Sequence, residues 1–143
     1  MPVGLVVVSH SRALADAAVE LARGMLPGRD LAVEVAAGDI DGGLGTDATA
    51  IAEAMTAADS GDGVVVLMDL GSAVLSAETA LDLLDDDARA RVVLSPAPFV
   101  EGLVGAVVTA AAGASRAQVA AEALRGSAPK QAHLSGGPAD GTG

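Results

Sequence analysis

The chain has 143 residues, with 19 acidic and 8 basic side chains, a formal net charge of −11 and no cysteine. Nucleic-acid binding requires clustered lysine and arginine, and an anionic membrane surface repels so acidic a chain, so we expect neither partner. Thiol chemistry is excluded. The sequence does not open with a charged segment followed by an apolar run, so we expect a cytoplasmic protein.

Strand and helix patterns alternate from the start of the chain. An apolar run, Val3–Val8, predicts a buried strand, and apolar residues at helical spacing predict a helix over Leu14–Leu26. Pro27-Gly28 is a typical end for that helix. An alternating segment, Leu31–Ala36, predicts a second strand, and a loop rich in glycine and aspartate follows it at Gly38–Gly45.

The same alternation continues to Leu124. The patterns predict helices over Ala48–Ala58, Ala73–Leu84, Phe99–Ala112 and Ser115–Leu124, and strands over Val64–Met68 and Arg91–Ser95. The strand Val64–Met68 is apolar on both faces, which is typical of a central strand in a parallel sheet. The acidic run Asp85–Asp87 predicts a solvated loop that closes the third helix.

This order of elements predicts an α/β fold of three layers, in which a mostly parallel sheet of four or five strands carries helices on both faces. We expect one domain over residues 1–125. Glycine, serine, proline and alanine dominate residues 126–143. Such a composition cannot pack a core, so it predicts a disordered tail.

The candidate nucleophile is His10, in the sequence Ser9-His10-Ser11 at the carboxyl end of the first strand. Ligands of open α/β sheets bind in the crevice outside the carboxyl ends of the strands, and the N–H groups at the start of the following helix favour an anion. The only other histidine, His133, lies in the predicted tail. Covalent chemistry in this chain would therefore use His10.

Further polar residues lie at the starts of the second and third helices. Asp69 follows the third strand, and we expect it beside His10 if the first and third strands are neighbours. A carboxylate bonded to one ring nitrogen of a histidine fixes the tautomer and leaves the other nitrogen as a nucleophile. The hydroxyls of Thr46 and Ser72 and the backbone N–H of Gly71 are candidate phosphoryl ligands.

Each of these residues also has an ordinary structural interpretation. Asp69, Ser72 and Thr46 are residue types that commonly cap helices, and a lone histidine near a helix start is often a satisfied polar residue. Their joint position at one edge of the sheet, which the loop Ser95–Pro98 shares, favours a functional site. The sequence has no P-loop, no nucleophile elbow and no histidine pair at metal spacing.

Four segments together resemble a known family: Val6–Ser11, Gly45–Asp47, Asp69–Ser72 with Glu78 on the following helix, and Pro98–Gly102. In this order they are similar to the DhaM family, the phosphotransferase subunits of bacterial dihydroxyacetone kinases. The first domain of that family is similar to the mannose-type enzyme IIA domains of the sugar phosphotransferase system. The resemblance spans about residues 1–124.

The resemblance implies a phosphohistidine carrier. Phosphorylated HPr would transfer a phosphoryl group to Nε2 of His10, while Asp69 holds the other ring nitrogen. His10 would then pass the group to ADP on the DhaL subunit, and the resulting ATP would phosphorylate dihydroxyacetone on DhaK. The phosphoryl group is carried covalently, so no bound cofactor or metal is implied.

Residues that match Thr46 and Ser72 lie near the phosphate in the family. We predict that the phosphate is bound by residues at the helix starts: Ser11, Thr46, Leu70, Gly71 and Ser72. Larger family members continue with HPr-like and enzyme I-like domains, so we expect a separate HPr to serve this chain.

Mannose-type domains dimerise by pairing a C-terminal strand with the partner's sheet. No strand pattern follows Leu124 here, so we expect a homodimer that forms through apolar helix faces instead. The segment Leu103–Ala112 is apolar nearly all round and is expected in the core or in that interface. Two other functions stay open, namely an enzyme IIA domain of a mannose-family sugar transporter and a non-catalytic module that binds a small anion.

Overall fold

The structure, a computed structural model, describes residues 2–26 and 30–136. Its strands are β1 (Gly4–Ser9), β2 (Val33–Ala37), β3 (Val64–Met68) and β4 (Val92–Ser95). Its helices are α1 (Arg12–Gly24), α2 (Ala48–Ala58), α3 (Gly71–Leu81), α4 (Asp86–Ala90), α5 (Phe99–Ala111), α6 (Arg116–Leu124) and α7 (Ala128–Leu134). Apart from α4, the predicted elements are confirmed through α6 to within three residues. The predicted helix end at Pro27-Gly28 lies outside the described residues.

The four described strands form one parallel sheet in the order β2-β1-β3-β4. Strand β1 pairs Leu5 with Val33 of β2 on one side and with Val65 of β3 on the other. Both central strands are buried on their two faces, which explains why they are continuous apolar runs. The predicted three-layer α/β class and the central position of β3 are confirmed.

Side chains along each central strand alternate between two cores. Leu5 and Val7 pack on one face of the sheet against α1, α5 and α6, whereas Val6 and Val8 pack on the other face against α2 and α3. Small alanine side chains line the inner faces of the helices, so the helices lie close to the sheet. None of the helices in the described ranges combines the length and the apolar character needed to cross a bilayer.

The acidic run Asp85–Asp87 is exposed to solvent as predicted, but it forms the start of α4, so the predicted loop is wrong. Asp85 is the N-cap residue, and its carboxylate accepts a hydrogen bond from the Ala88 N–H at 2.8 Å. Asp86 and Asp87 occupy the first turn, where the positive end of the helix dipole favours negative charge. Aspartates that repel one another in a loop are stabilised at a helix start.

The predicted tail contains the helix α7, so the expectation of disorder is wrong over its seven residues. Pro129 lies in the first turn, where the missing N–H costs nothing, and alanine, lysine and glutamine favour the helix behind it. Lys130 forms an ion pair with Glu101 of α5, which joins α7 to the domain. The rest of the predicted tail, residues 137–143, lies outside the described residues.

Candidate active site

The path of the chain places the loops after β1 and β3 side by side. From its carboxyl end, β1 leads into α1 and on to β2 over one face of the sheet, whereas β3 leads into α3 and on to β4 over the other face. Neighbouring strands whose connections leave in opposite directions open a crevice at their carboxyl ends. The Asp69 N–H donates to the Val8 carbonyl oxygen at 3.2 Å, so the loop after β3 starts directly against β1.

His10 and Asp69 meet in this crevice. Nδ1 of His10 lies 2.8 Å from Oδ1 of Asp69. The side chains are 23% and 9% exposed, so the pair is largely shielded from water but the ring remains accessible at one edge. An ionised carboxylate can only accept hydrogen bonds. The contact therefore assigns the ring proton to Nδ1 and leaves a lone pair on Nε2.

The Asp69 carboxylate accepts three further hydrogen bonds. Oδ2 accepts from the Ser9 hydroxyl at 2.9 Å and from the His10 backbone N–H at 3.0 Å, and Oδ1 also accepts from the Leu70 N–H at 2.6 Å. Burial raises the pKa of Asp69, but the hydrogen bonds from His10, Ser9 and Leu70 outweigh burial and hold this pKa below its usual value. Asp69 is therefore ionised at neutral pH, as its acceptor role requires.

The other ring nitrogen, Nε2, faces the start of α3, where it contacts the Ser72 hydroxyl. The N-cap residue of α3 is Leu70, which offers no side-chain acceptor to the first backbone N–H groups. The interpretation of Asp69 as the cap of α3 is therefore wrong. Within the described part of the chain, apart from its sequence neighbours and its own helix, no heavy atom lies within 4 Å of the point where a Gly71 Cβ would be. The helix start is therefore open beside Gly71, and its first residues are exposed.

Thr46 enters the site through the loop after β2. The preceding residue, Gly45, donates its N–H to the His10 carbonyl oxygen at 3.0 Å, and its φ of +147° is one that glycine adopts without a Cβ clash. Oγ1 of Thr46 lies 2.6 Å from Oγ of Ser76, which is one helical turn beyond Ser72 on α3. The structure therefore brings Thr46 against the helix whose start faces His10.

Two polar residues at the same edge have local roles. Ser11 is the N-cap residue of α1, and its hydroxyl accepts from the Leu14 N–H at 3.2 Å. The hydroxyl of Ser95, at the end of β4, accepts from the Ala97 N–H at 3.1 Å. In the part of the chain that the structure describes, neither hydroxyl bonds to the histidine or its carboxylate. A phosphate contact of Ser11 stays a prediction.

The network also contains two residues that were not predicted as site residues, Ser9 and Ser76. The Ser9 hydroxyl is fully buried and bonds to Asp69, and the Ser76 hydroxyl bonds to Thr46. A polar residue that ends an otherwise apolar strand is one signal for Ser9. Ser76 follows Ser72 by four residues, which places both on one face of the helix.

This arrangement supplies three features that a reaction could use. They are an oriented nucleophilic nitrogen, a carboxylate that stabilises positive charge on the ring, and a helix start that favours an anion. Together they suit phosphoryl transfer, which depends on positioning and on charge stabilisation. Among residues 2–26 and 30–136, no group of three or more histidine, aspartate or glutamate side chains is arranged to hold a metal ion.

Comparison with known proteins shows the family to which the chain belongs. The family EIIA-man, described as the PTS system fructose IIA component, matches residues 4–120. The chain belongs to this family. Within it, the resemblance to DhaM subunits that the motifs predict is confirmed by the relatives described next.

Two relatives differ in how much of their length the chain spans. It is 49% identical over 134 residues to the phosphoryl donor subunit DhaM of the PEP-dependent dihydroxyacetone kinase of Pantoea ananatis, which covers 92% of this chain but 28% of that protein. It is 36% identical over 106 residues to DhaM of the PEP-dependent dihydroxyacetone kinase 2 of Listeria innocua, covering 74% of this chain and 84% of that protein. The chain thus spans about a quarter of the longer relative and most of the shorter one.

Solved structures agree with the fold. A protein of unknown function named EF1359 is 35% identical with a TM-score of 0.77, and the match covers 87% of this chain and 94% of that one. A sigma-54 interaction domain protein from Enterococcus faecalis is 14% identical with a TM-score of 0.67, over 93% of this chain and 96% of that one. The second likeness concerns the fold alone.

Proposed function

We propose that the protein is a phosphohistidine carrier for a PEP-dependent dihydroxyacetone kinase. Phosphorylated HPr supplies the phosphoryl group, His10 carries it, and ADP held on DhaL accepts it, so that the ATP formed phosphorylates dihydroxyacetone on DhaK. The relatives, which are phosphoryl donor subunits of PEP-dependent dihydroxyacetone kinases, support the kinase assignment. The observation that carries the proposal is the orientation of the His10 ring, bound at Nδ1 by Asp69 and directed with Nε2 at the start of α3.

The proposed transfer needs no proton to leave the ring. The Nε2 lone pair of neutral His10 attacks phosphorus, the Nε2–P bond forms, and the bond between phosphorus and the donor breaks. The ring keeps its proton on Nδ1 and becomes positively charged, and Asp69 stabilises that charge at 2.8 Å. In the second step a terminal phosphate oxygen of ADP attacks phosphorus, the Nε2–P bond breaks, and neutral His10 is restored.

The start of α3 provides the second half of the site. Its first backbone N–H groups have no side-chain cap, and such groups with the helix dipole bind phosphate without any lysine. The Ser72 hydroxyl, which contacts Nε2, moves onto a phosphate oxygen when the phosphoryl group takes its place. Gly71, Leu70 and Thr46 surround the same space in the proposal.

The direct test is phosphoryl transfer from phosphoenolpyruvate, enzyme I and HPr, followed by intact mass spectrometry. We expect one added phosphoryl group on the wild type and none on His10→Ala. The matched control is His133→Ala, because His133 is the only other histidine and lies on α7. A folded wild type that gains no mass beside a competent HPr would overturn the carrier function and favour an anion-binding module.

The family description gives specific support to a second candidate, an enzyme IIA domain of a sugar transporter. The two candidates share the step on His10 and differ in the acceptor. Phosphorylated protein should be mixed separately with DhaL bound to ADP and with a mannose-type enzyme IIB. Loss of the phosphoryl group only to DhaL–ADP supports the kinase role, and loss only to enzyme IIB supports the transporter role.

The proposal includes a cytoplasmic homodimer. Leu14 and Leu21 on α1 and Met25 at its C-cap are exposed, and so are Val100 and Val108 on α5. The other large apolar side chains of α5 pack in the core or against it, so an interface on α1 and α5 would use these exposed side chains. Sedimentation equilibrium across a range of concentrations tests the dimer, and a monomer at the highest concentration would contradict it.

A further inference from the structure

The Ser9 hydroxyl lies between one obligatory donor and the Asp69 carboxylate. It is fully buried at the end of β1 and accepts a hydrogen bond from the Ser11 N–H at 3.0 Å. Oγ of Ser9 also lies 2.9 Å from Oδ2 of Asp69. A backbone N–H can only donate and a serine hydroxyl has a single proton, so that proton is directed at Asp69.

The surroundings of Asp69 make it an acceptor at both oxygens. Besides the Ser9 hydroxyl, the backbone N–H groups of His10 and Leu70 donate to it. Three donors whose direction is fixed leave the carboxylate one remaining position, on Oδ1, and that position faces Nδ1 of His10. The only proton that this arrangement leaves to be assigned is therefore the one between Oδ1 and Nδ1. The lowered pKa of Asp69 agrees with this count, since these hydrogen bonds outweigh the effect of burial.

Ser95 provides a comparison within the same sheet. It is also buried, it also ends a strand, and its hydroxyl also accepts the N–H of the residue two positions on, at 3.1 Å. Ser9 and Ser95 therefore share one local turn. Only Ser9 adds a hydrogen bond to a carboxylate within the described residues. The local turn alone does not account for that additional bond.

We infer that Ser9 is a positioning residue for the proposed phosphoryl transfer: its hydroxyl holds Asp69 as an ionised acceptor, which keeps the His10 proton on Nδ1 and the lone pair on Nε2. The kinetic part of this inference rests on the proposed function. The part that concerns the tautomer of His10 does not, because it can be measured without any phosphoryl donor.

The first readout is the tautomer of His10, observed by ¹⁵N NMR in the wild type, Ser9→Ala and Ser95→Ala. The exposed His133 is an internal reference in every sample. We expect neutral His10 of the wild type and of Ser95→Ala to carry its proton on Nδ1. In Ser9→Ala the Asp69 carboxylate keeps its two backbone donors but loses the hydroxyl donor, so it is restrained less and we expect a mixture of Nδ1–H and Nε2–H forms.

The second readout is the rate of phosphoryl uptake from HPr. Loss of a hydrogen bond to a charged group predicts uptake about tenfold slower in Ser9→Ala. Ser9→Thr keeps the hydroxyl, so its uptake should be close to that of the wild type. Ser9→Val has the shape of the threonine variant but no hydroxyl, so its uptake should be as slow as that of Ser9→Ala. The threonine and valine pair carries the test if Ser9→Ala does not fold, because the two variants impose the same steric change.

The outcomes separate the inference from the function on which it rests. A folded Ser9→Ala with the wild-type tautomer and rate overturns the inference, and so does an equal loss in Ser95→Ala. If the wild type takes up no phosphoryl group, the proposed function is overturned. If the Nδ1–H tautomer is nevertheless lost in Ser9→Ala, the role of Ser9 is supported. Slow uptake with an altered tautomer in Ser9→Ala and Ser9→Val, restored in Ser9→Thr, supports both.

Discussion

Strand β3 has an aspartate near each end, and the two aspartates are held in similar ways. Asp59, before the strand, accepts from the Gly61 and Gly63 N–H groups at 2.8 and 3.2 Å and from Nε of Arg91 at 2.8 Å. Asp69, after the strand, accepts from two backbone N–H groups and from the His10 ring, also at 2.8 Å. Both carboxylates are 9% exposed.

The two aspartates differ in the side chain that each one binds, Arg91 for Asp59 and His10 for Asp69. This difference distinguishes a structural site from a chemical one. Burial raises the pKa of Asp59, but hydrogen bonds from Gly61, Arg91 and Gly63 and the charge of Arg91 hold it below its usual value. The Arg91 guanidinium offers no lone pair and stays charged, so this pair ties the loop before β3 to the end of α4. An imidazole in the same place has a second nitrogen, and the crevice at the carboxyl edge exposes it. In the proposed function, the same carboxylate arrangement then orients a nucleophile.

The comparison is tested most strongly by the amide variants of the two aspartates. Asp69→Asn keeps the shape but can donate to Nδ1, which would place the ring proton on Nε2 and remove the nucleophile. The same change in a serine protease triad, which also produces the wrong tautomer, costs about ten-thousandfold, so we expect phosphoryl uptake to slow by a factor of about that order. Asp59→Asn should leave uptake unchanged in a folded protein. Stopped reactions analysed by intact mass give both rates.

Equal slowing in the two variants would contradict the division between a chemical and a structural site. Circular dichroism of each variant controls for folding. Transfer at the wild-type rate in Asp69→Asn would remove Asp69 from the mechanism, whatever its geometry.

The second prediction concerns the structural site, where removal of Asp59 should lower stability. Asp59→Ala leaves two loop N–H groups and Arg91 without their acceptor, so we expect the free energy of unfolding to fall by about 1–3 kcal/mol. Urea denaturation measures this difference. Glu53→Ala is a suitable control, because Glu53 is an exposed carboxylate on α2. An unchanged midpoint in Asp59→Ala would show that this pair does not stabilise the loop before β3.

Acid should weaken both arrangements. The pKa values of Asp59 and Asp69 are lowered in the folded state, so the unfolded chain takes up protons first as the pH falls. Their contribution to stability is complete well above pH 4 and is lost as the pH falls below about 4, through the folded pKa values. We expect the unfolding free energy to decline over that window in the wild type and to decline less steeply in Asp59→Asn. A wild-type stability that is flat from pH 5 to 2 would contradict this.

The parts of the fold and of the site that depend on local sequence patterns could be predicted, and those that depend on contacts between distant segments could not. The apolar runs identified β1 and β3, and their neighbouring position brought His10 and Asp69 together as predicted. The helix start at Asp85 was not predicted, because the capping hydrogen bond that forms it stabilises the helix over an exposed loop by only about 1 kcal/mol. Ser9 and Ser76 were missed because each bonds across elements, Ser9 to the loop after β3 and Ser76 to the loop before α2. Hydrogen bonds between distant segments leave no periodic pattern in a sequence.

The smallest expected effect lies at the Thr46–Ser76 pair, which extends the chemical site one turn along α3. Ser76→Ala removes the partner of Thr46 at 2.6 Å and lets that hydroxyl rotate, so we expect phosphoryl uptake to slow by about two- to fivefold. Thr79→Ala is the matched control, because its hydroxyl bonds to the Leu75 carbonyl oxygen within the same helix. If uptake is unchanged in Ser76→Ala, Thr46 does not need to be held in place. The chemical site would then end at Ser72, and the start of α3 alone would have to stabilise the phosphoryl group.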